Sequence, residues 1–299
     1  MTGVLVIDKP QGPTSHDVVA TARRTLGEKK IGHTGTLDPL ATGVLPLAIG
    51  RATRLARFLA ASDKDYEAGI RFGLTTDTYD ITGRELCRTD AAPSHDDLMR
   101  ALQTLTGEYL QTPPAYSAKK VDGRRAYDLI RNERAVVLAP VPVRVTCAEL
   151  LDVNGPSARI ALTCSAGFYV RSFAHTLGQL AGTGACLEAL RRTRSGDFTL
   201  ESALRLDELS DATRVASRLI APATLLTHLP AVTVTERGLQ HVVHGRELGS
   251  GDYAPAFPPP RFPLPPERWV RLLDGRGDLA GMATGGAAPG SLHPALVLM

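Results

Sequence analysis

A stretch of fifteen residues, Gly32 to Pro46, places a single acidic residue among residues that restrict the backbone. It reads GHTGTLDPLATGVLP and contains three glycines and two prolines. Glycine permits tight turns, and Pro39 favours an extended backbone at Asp38. An Asp–Pro pair alone is most often a turn cap. The neighbouring residues instead predict a rigid loop that holds one carboxylate in place for chemistry.

The composition is that of a globular protein, and the 299 residues can hold two domains of ordinary size. No apolar run approaches the ~18 residues of a membrane span. The charged pair Asp8–Lys9 follows the start too soon for a signal-peptide core. We therefore expect a cytoplasmic protein that does not enter a membrane.

The four cysteines are Cys87, Cys147, Cys164 and Cys186. They lie too far apart for a C-x-x-C metal site and are too few to indicate a disulfide framework. They are interpreted as structural thiols.

Basic residues are concentrated in two regions, although the net charge of the chain is only +3. Residues 1–60 hold eight Lys or Arg against four Asp or Glu, and residues 113–135 hold six against three, with Tyr116 and Tyr127 between them. Such a mixture suits a phosphate backbone and unstacked bases. An ordinary solvated face is the alternative interpretation.

The pattern of apolar residues predicts strands and helices that do not alternate regularly. The predicted strands are Val4–Ile7, Tyr66–Phe72, Val143–Val153 and Arg159–Cys164, and the predicted helices are Ser15–Leu26, Arg51–Ala60, Leu98–Leu105 (capped by Ser94) and Val170–Leu180. This order favours an α+β fold over a doubly wound parallel sheet.

Near residue 228 the character of the chain changes, which predicts one domain over residues 1–227 and a second over residues 228–299. The tail is rich in Gly and Pro and has few helix signals. Short predicted strands at Ala231–Val234, Trp269–Leu273 and Ala295–Leu298 are typical of a small β-barrel. Seven of the twelve residues from Pro255 to Pro266 are proline, which favours an extended polyproline II loop.

The stretch Gly32–Pro46 resembles the catalytic loop of the TruB family of pseudouridine synthases, whose pattern is GHTGxLDPxAxGxLP. The other matching motifs are GVLVIDKPQG at 3–12, SDKDY at 62–66, GLTTDT at 73–78, PAYSAKK at 114–120 and CSAGFYVRS at 164–172. The resemblance implies a pseudouridine-synthase fold, with a mixed central β-sheet flanked by helices and loops. It further implies that the tail is a PUA-like RNA-binding barrel, although the proline-rich run departs from that pattern.

The resemblance implies that a uridine in the T loop of tRNA, conventionally position 55, is isomerised to pseudouridine. That reaction breaks the N1–C1′ bond and forms a C5–C1′ bond, so it needs a nucleophile, a base for the C5 proton and a pocket that retains uracil. It needs no metal or cofactor. By resemblance Asp38 is the attacking carboxylate, and its target, sugar or pyrimidine ring, is open at this point.

The same resemblance assigns roles to other residues. Arg171 would pair with Asp38, orient it and keep it ionised. Tyr66 would stack on the target base and handle the C5 proton, while Tyr169 and Leu190 would contact the flipped uridine. His33 would fill the place that the extruded base leaves, since extrusion costs a few kcal/mol.

Three of these residues also have a plainer interpretation when taken alone. Arg171 would be a surface charge, Tyr66 a core aromatic and His33 a structural hydrogen-bonding residue. Lys9 and Pro10 are expected to support the loop rather than react.

Two other functions compete with an isomerase. A base-excising glycosylase also flips a nucleotide and uses an Asp, but releases free uracil. A tRNA-folding chaperone would bind without modifying. No G-x-S-x-G or G-x-x-x-x-G-K-[ST] motif occurs, which disfavours a hydrolase or a P-loop enzyme. Within the family, the basic stretch after Pro114, the compact length and the lack of long Lys-rich tails favour a stand-alone bacterial enzyme over a member of a guide-RNA particle. We therefore expect a monomer whose partner is the T-arm stem-loop of tRNA.

Overall fold

A computed structural model describes residues 1–116, 120–121, 124–125, 138–255 and 268–299. The basic stretch from Lys119 to Arg134 therefore lies mostly outside the described residues. The proline-rich run lies outside them except for Pro255, so its polyproline II conformation stays a prediction. No helix of the described ranges is long and apolar enough to cross a bilayer.

The described chain contains α-helices and short 3-10 turns. The α-helices are α1 (Ser15–Leu26), α2 (Ala56–Ala60), α3 (His95–Thr104), α4 (Val170–Leu180), α5 (Ala212–Arg218) and α6 (Glu236–Val243).

The strands are β1 (Gly3–Lys9), β2 (Ile31–His33), β3 (Thr42–Ile49), β4 (Lys64–Phe72), β5 (Leu74–Thr76), β6 (Glu85–Arg88), β7 (Gly107–Gln111), β8 (Lys120–Val121), β9 (Arg124–Arg125), β10 (Val141–Asn154), β11 (Ser157–Cys164), β12 (Ala185–Ser195), β13 (Phe198–Thr199), β14 (Ala203–Arg205), β15 (Ala231–Val234), β16 (Tyr253–Pro255), β17 (Val270–Leu273), β18 (Leu279–Gly285) and β19 (Leu292–Val297).

Ten of these strands form one mixed sheet, which confirms the predicted α+β fold with a mixed central sheet. Its order is β14-β1-β3-β12-β4-β11-β10-β7, with β2 beside β3 and β13 beside β12. The pairs β1–β14 and β3–β12 are parallel, and the other pairs are antiparallel. Helices α1, α3 and α4 bury apolar residues against the sheet in the main core.

Local signals account for most of the predicted helices. Thr14 caps α1 in a reciprocal pair with Asp17, and Gly27 ends it at a φ of 64°. Ser94 caps α3 as predicted, and α4 has the predicted bounds. The helix predicted over Arg51–Ala60 is only partly right, because Gly50–Leu55 is a 3-10 helix and only the last turn is α-helical.

Two central strands, β3 and β12, were not predicted. The rigid-loop prediction for Gly32–Pro46 is too long, since Gly32 and His33 end β2 and residues from Thr42 onward belong to β3. Strand β12 carries several charged residues and does not read as a buried strand. Its arginines are accommodated by partners elsewhere: Arg191 binds Asp8 and Arg194 binds Asp65.

The tail forms a second sheet in the order β16-β15-β17-β18-β19. Strand β15 has the predicted bounds. Helix α6 was not predicted, and Thr235 caps it by accepting a hydrogen bond from the Gly238 amide. Val242 of this helix packs on the tail's own apolar core.

The two sheets share a further apolar cluster. Its buried members from the first part of the chain include Val4 and Leu59, and those from the tail include Met282 and Leu298. At the edge of this contact the Arg57 guanidinium lies 4.5 Å from the Trp269 ring centroid. The tail is therefore packed on the main body through side chains of both.

Candidate active site

The loop that carries Asp38 is held through its backbone. The Ser15 hydroxyl accepts a hydrogen bond from the Leu37 amide at 2.8 Å and donates one to the Leu37 carbonyl at 3.0 Å. The Ala41 amide donates to the Asp38 carbonyl at 3.0 Å. These contacts fix the residue before the aspartate and close a turn after it.

The Lys9 side chain also binds the loop that carries Asp38. The ammonium is buried and donates to the Ala41 carbonyl at 2.7 Å and the Pro10 carbonyl at 2.9 Å. Burial lowers the pKa of Lys9 to about 8, and the Asp38 carboxylate partly opposes that shift. These bonds to loop carbonyls are consistent with the supporting role expected for this residue.

The Asp38 carboxylate is paired with Arg171 in a two-point contact. Arg171 Nε lies 2.8 Å from Asp38 Oδ2, and Nη2 donates to Oδ1 at 3.3 Å. The Arg171 side chain is only 9% exposed, whereas that of Asp38 is 39% exposed. The carboxylate is therefore fixed in orientation and still open to a ligand.

The other nitrogens of Arg171 are bound by the protein as well. Nη1 donates to the Thr78 carbonyl at 3.1 Å, and Nη2 donates to the Tyr116 carbonyl at 2.9 Å. The buried Asp80 carboxylate lies 3.7 Å from Nη1 and accepts a hydrogen bond from the Thr82 amide at 3.0 Å. This arrangement suits an arginine that orients Asp38, because its donors are already engaged.

Tyr66 and Leu190 lie on neighbouring antiparallel strands, β4 and β12. Tyr66 is opposite Arg192, and Leu190 is opposite Ala68, so the Tyr66 and Leu190 side chains share one face of the sheet. Both side chains are buried. Burial raises the pKa of Tyr66, while the charge of Arg192 and a hydrogen bond with it lower that pKa.

Tyr169 lies two residues before Arg171, and His33 lies five residues before Asp38. Tyr169 precedes α4 and is bound through its backbone by the side chain of Gln111. The Tyr169 N–H donates to Gln111 Oε1 at 2.8 Å, and Gln111 Nε2 donates to the Tyr169 carbonyl at 3.1 Å. His33 ends β2, and its ring lies edge-on to that of His16 with centroids 5.3 Å apart. Both residues are partly exposed.

The structure thus pairs Asp38 directly with Arg171. The charge of Asp38 also raises the pKa of Tyr66. Whether Tyr66, Tyr169, Leu190 and His33 contact a substrate stays a prediction. Over the described ranges, no three His, Cys, Asp or Glu side chains form a group that could hold a metal ion.

Three residues of this neighbourhood were not singled out from the sequence. Asp80 lies 3.7 Å from Arg171, Gln111 binds the backbone of Tyr169, and Arg192 is opposite Tyr66 in the strand pair. Only the position of Asp80, two residues beyond the GLTTDT motif, offered a signal. The pair Arg191–Arg192 reads as an ordinary surface charge.

Comparison with known proteins places this geometry in a class. The fold, with helices on a mixed sheet, also occurs in solved structures that match the whole chain. A solved structure titled "Crystal Structure of a Cbf5-Nop10-Gar1 Complex" matches with a TM-score of 0.76 at 26% identity, covering 100% of this chain and 85% of that chain.

The model of the TruB family pseudouridylate synthase N-terminal domain matches residues 23–170, and that of the tRNA pseudouridylate synthase B C-terminal domain matches residues 171–229. A tRNA pseudouridine synthase B of Solibacter usitatus is 43% identical over the full length of both chains. One from Symbiobacterium thermophilum is 47% identical over 81% of this chain and 82% of its own. The chain belongs to the TruB family of pseudouridylate synthases and is an isomerase.

Proposed function

We propose that the chain converts the T-loop uridine of tRNA, conventionally position 55, to pseudouridine, with Asp38 as the reacting carboxylate. The observation that carries this proposal is the contact between Arg171 and Asp38, which orients a carboxylate that is still 39% exposed. The relatives described above are named for a tRNA substrate, which supports the choice of RNA.

The chemistry is an internal transfer. The N1–C1′ bond breaks, the uracil turns within the pocket and C5 bonds to C1′. C5 then loses its proton and N1 gains one, so the overall composition of the nucleotide is unchanged. Asp38 bonds transiently to the nucleoside, at the sugar or the pyrimidine ring, and leaves at the end. Arg171 holds its orientation throughout.

The pocket residues have distinct proposed roles. Tyr66 stacks on the target base and handles the C5 proton, and Leu190 and Tyr169 contact the extruded uridine. His33 occupies the space that the base leaves in the T loop, which offsets part of the cost of extrusion. The position of Tyr66 and Leu190 on one buried face, together with the open Asp38 carboxylate, supports a pocket there.

We further propose that residues 1–227 form the catalytic domain and residues 228–299 a PUA-like RNA-binding domain. The separate five-stranded sheet that begins at β15 supports this division. In this account the protein works in the cytoplasm as a monomer and needs no obligate protein partner.

The direct test is to incubate the protein with an unmodified T-arm stem-loop and to map pseudouridine in the product. Pseudouridine at the T-loop uridine is the expected result, and the matched control is the same RNA with cytidine at that position. Release of free uracil would identify a glycosylase instead. Binding with faster folding of tRNA, but an unchanged base, would favour an RNA chaperone.

A further inference from the structure

Arg192 is a fully buried arginine, with 1% of its surface exposed. In the parts of the chain that the structure describes, no carboxylate lies within 4.0 Å of its guanidinium. Burying an ion without a counter-ion is costly unless its donors are satisfied. A neutral side chain of similar length would avoid that cost, so this charge calls for a functional explanation.

Two donors of the Arg192 guanidinium bind backbone carbonyls on either side of Asp38 in the sequence. Nε donates to the Val44 carbonyl at 2.7 Å, and Nη2 donates to the Gly35 carbonyl at 3.2 Å. Gly35 precedes Asp38 by three residues, and Val44 follows it by six. One guanidinium therefore connects the loop before Asp38 to strand β3 after it.

The same side chain lies beside Tyr66. Arg192 and Tyr66 are partners in the antiparallel pair of β12 and β4, so their side chains lie on the same face of the sheet. The positive charge of Arg192 lowers the pKa of the Tyr66 hydroxyl. The charges of Cys164 on β11 and of Asp38 on the loop act in the opposite direction and raise the pKa of Tyr66.

We propose that Arg192 is a positioning residue for the isomerisation, which holds the Asp38 loop and the Tyr66 hydroxyl in fixed relation to each other. The inference rests on the function proposed above. It is supported by the hydrogen bonds of Arg192 to carbonyls before and after Asp38 and by its place opposite Tyr66 in the paired strands. The planar, forked donor geometry of an arginine lets one side chain serve several groups at once.

The location of the charge also bears on the C5 proton. In this account the Tyr66 hydroxyl gives its proton to water, and the phenolate accepts the proton from C5. The C–H electron pair restores the C5=C6 double bond, and N1 takes a proton from water. An N–H donor from Arg192 stabilises the phenolate. Without Arg192, burial and the charges of Cys164 and Asp38 all raise the pKa of Tyr66, so that pKa is higher.

The test compares Arg192→Lys and Arg192→Gln with the matched variant Arg194→Lys, in which an arginine of the same strand pairs with the partly exposed Asp65. The readout is single-turnover release of tritium from [5-³H]uridine in a T-arm RNA, measured from neutral to alkaline pH. We expect both Arg192 variants to bind the RNA normally and to react roughly 10²-fold more slowly at neutral pH. The deficit should shrink as the pH rises, and Arg194→Lys should behave as wild type.

A parallel fall in rate at every pH for the Arg192 variants would overturn the proposal, as would equal rates for Arg192→Lys and Arg194→Lys. If Arg192→Gln fails to fold, Arg192→Lys, which retains the charge, carries the same comparison. Wild-type protein that releases no tritium would refute the proposed function itself, which is a different outcome from a normal wild type with unaffected Arg192 variants.

Discussion

At the scale of the residue, the defining feature is an arginine whose donors all lie against protein oxygens. Arg171 contacts the Asp38 carboxylate twice and also binds the carbonyls of Thr78 and Tyr116. The last of these contacts ties the segment that leads into the basic stretch to the charged pair. The two-point contact of Arg171 thus fixes the orientation of the Asp38 carboxylate.

Arg171→Lys should therefore slow chemistry without weakening binding. A lysine keeps one positive charge but cannot make the two-point contact with the carboxylate. We expect the single-turnover rate on T-arm RNA to fall by roughly 10²-fold, about 2.7 kcal/mol in the barrier, with RNA affinity unchanged. The control is Arg159→Lys, the same exchange at an exposed arginine. A near-wild-type rate in Arg171→Lys would contradict the role assigned to it.

Lys9 leads to a prediction about pH and stability. Its pKa is about 8 in the folded protein and near 10.5 in the unfolded chain, so the unfolded state binds more protons between these values. The free energy of unfolding then rises with pH in this window, because stability increases wherever the unfolded state holds more protons. Well below pH 8 the Lys9 ammonium is charged in both the folded and the unfolded state. Its burial then lowers the free energy of unfolding by an amount that does not change with pH.

The measurement is urea unfolding of wild type and Lys9→Met at about pH 7.5 and about pH 9.5. The difference in unfolding free energy should shift in favour of wild type by about 2 kcal/mol between these values. Lys29→Met, at an exposed lysine, is the control and should show no such shift. A difference that is independent of pH would show that Lys9 does not titrate in this range.

At the scale of the element, the active-site loop depends on the parallel pairing of β3 and β12. Gly43 has a φ of +99°, and a Cβ at this position would lie 2.2 Å from the Arg192 carbonyl oxygen. The two strands can approach only because residue 43 lacks a side chain. This pairing joins the end of the Asp38 loop to the strand that carries Leu190 and Arg192.

Gly43→Ala should accordingly destabilise the protein by about 3 kcal/mol or more, since both overpacking and backbone strain oppose it. Gly27→Ala is the matched control, because Gly27 also has a positive φ but has open space around it. We expect the control to cost only about 1 kcal/mol. Equal losses for the two variants in chemical unfolding would show that close approach of the strands is unimportant.

Sequence reasoning succeeded where the signal is local. Caps and apolar periodicity predicted α1, α3 and α4, and alternation predicted β4. Strand β12 was missed because its arginines mark it as exposed, whereas distant partners make its burial possible. The contact of Arg171 with Asp38 followed from motifs 133 residues apart. The connection of Arg192 to Tyr66 depends on strand register, which no local pattern encodes.

At the scale of the whole molecule, the tail is more closely joined to the main body than a simple accessory module would be. Leu279, Met282 and Leu298 of the tail pack in one cluster with Val6 and Leu55. The Arg54 guanidinium also donates to the Val297 carbonyl. Removing the tail would expose an apolar face of the main body.

A chain that ends at residue 227 should therefore unfold at a lower temperature than the full chain, while still isomerising a T-arm substrate. It should bind full-length tRNA more weakly and with a flatter salt dependence, because each lost phosphate contact reduces the slope. Salt titrations of both chains on both RNAs are the measurement. Equal affinities and slopes on full-length tRNA would remove the tail from recognition. A folded but inactive truncation would place the functional boundary elsewhere.

The central claim is that the Asp38 carboxylate carries out the isomerisation, and Asp38→Asn tests it most directly. Asparagine keeps the shape of the side chain and loses the charge that faces Arg171. Multiple-turnover formation of pseudouridine in T-arm RNA, measured beside RNA affinity for wild type and variant, is the experiment. We predict that wild type turns over and that Asp38→Asn binds RNA as tightly but forms no product. Measurable multiple-turnover activity in a clean Asp38→Asn preparation would contradict the account.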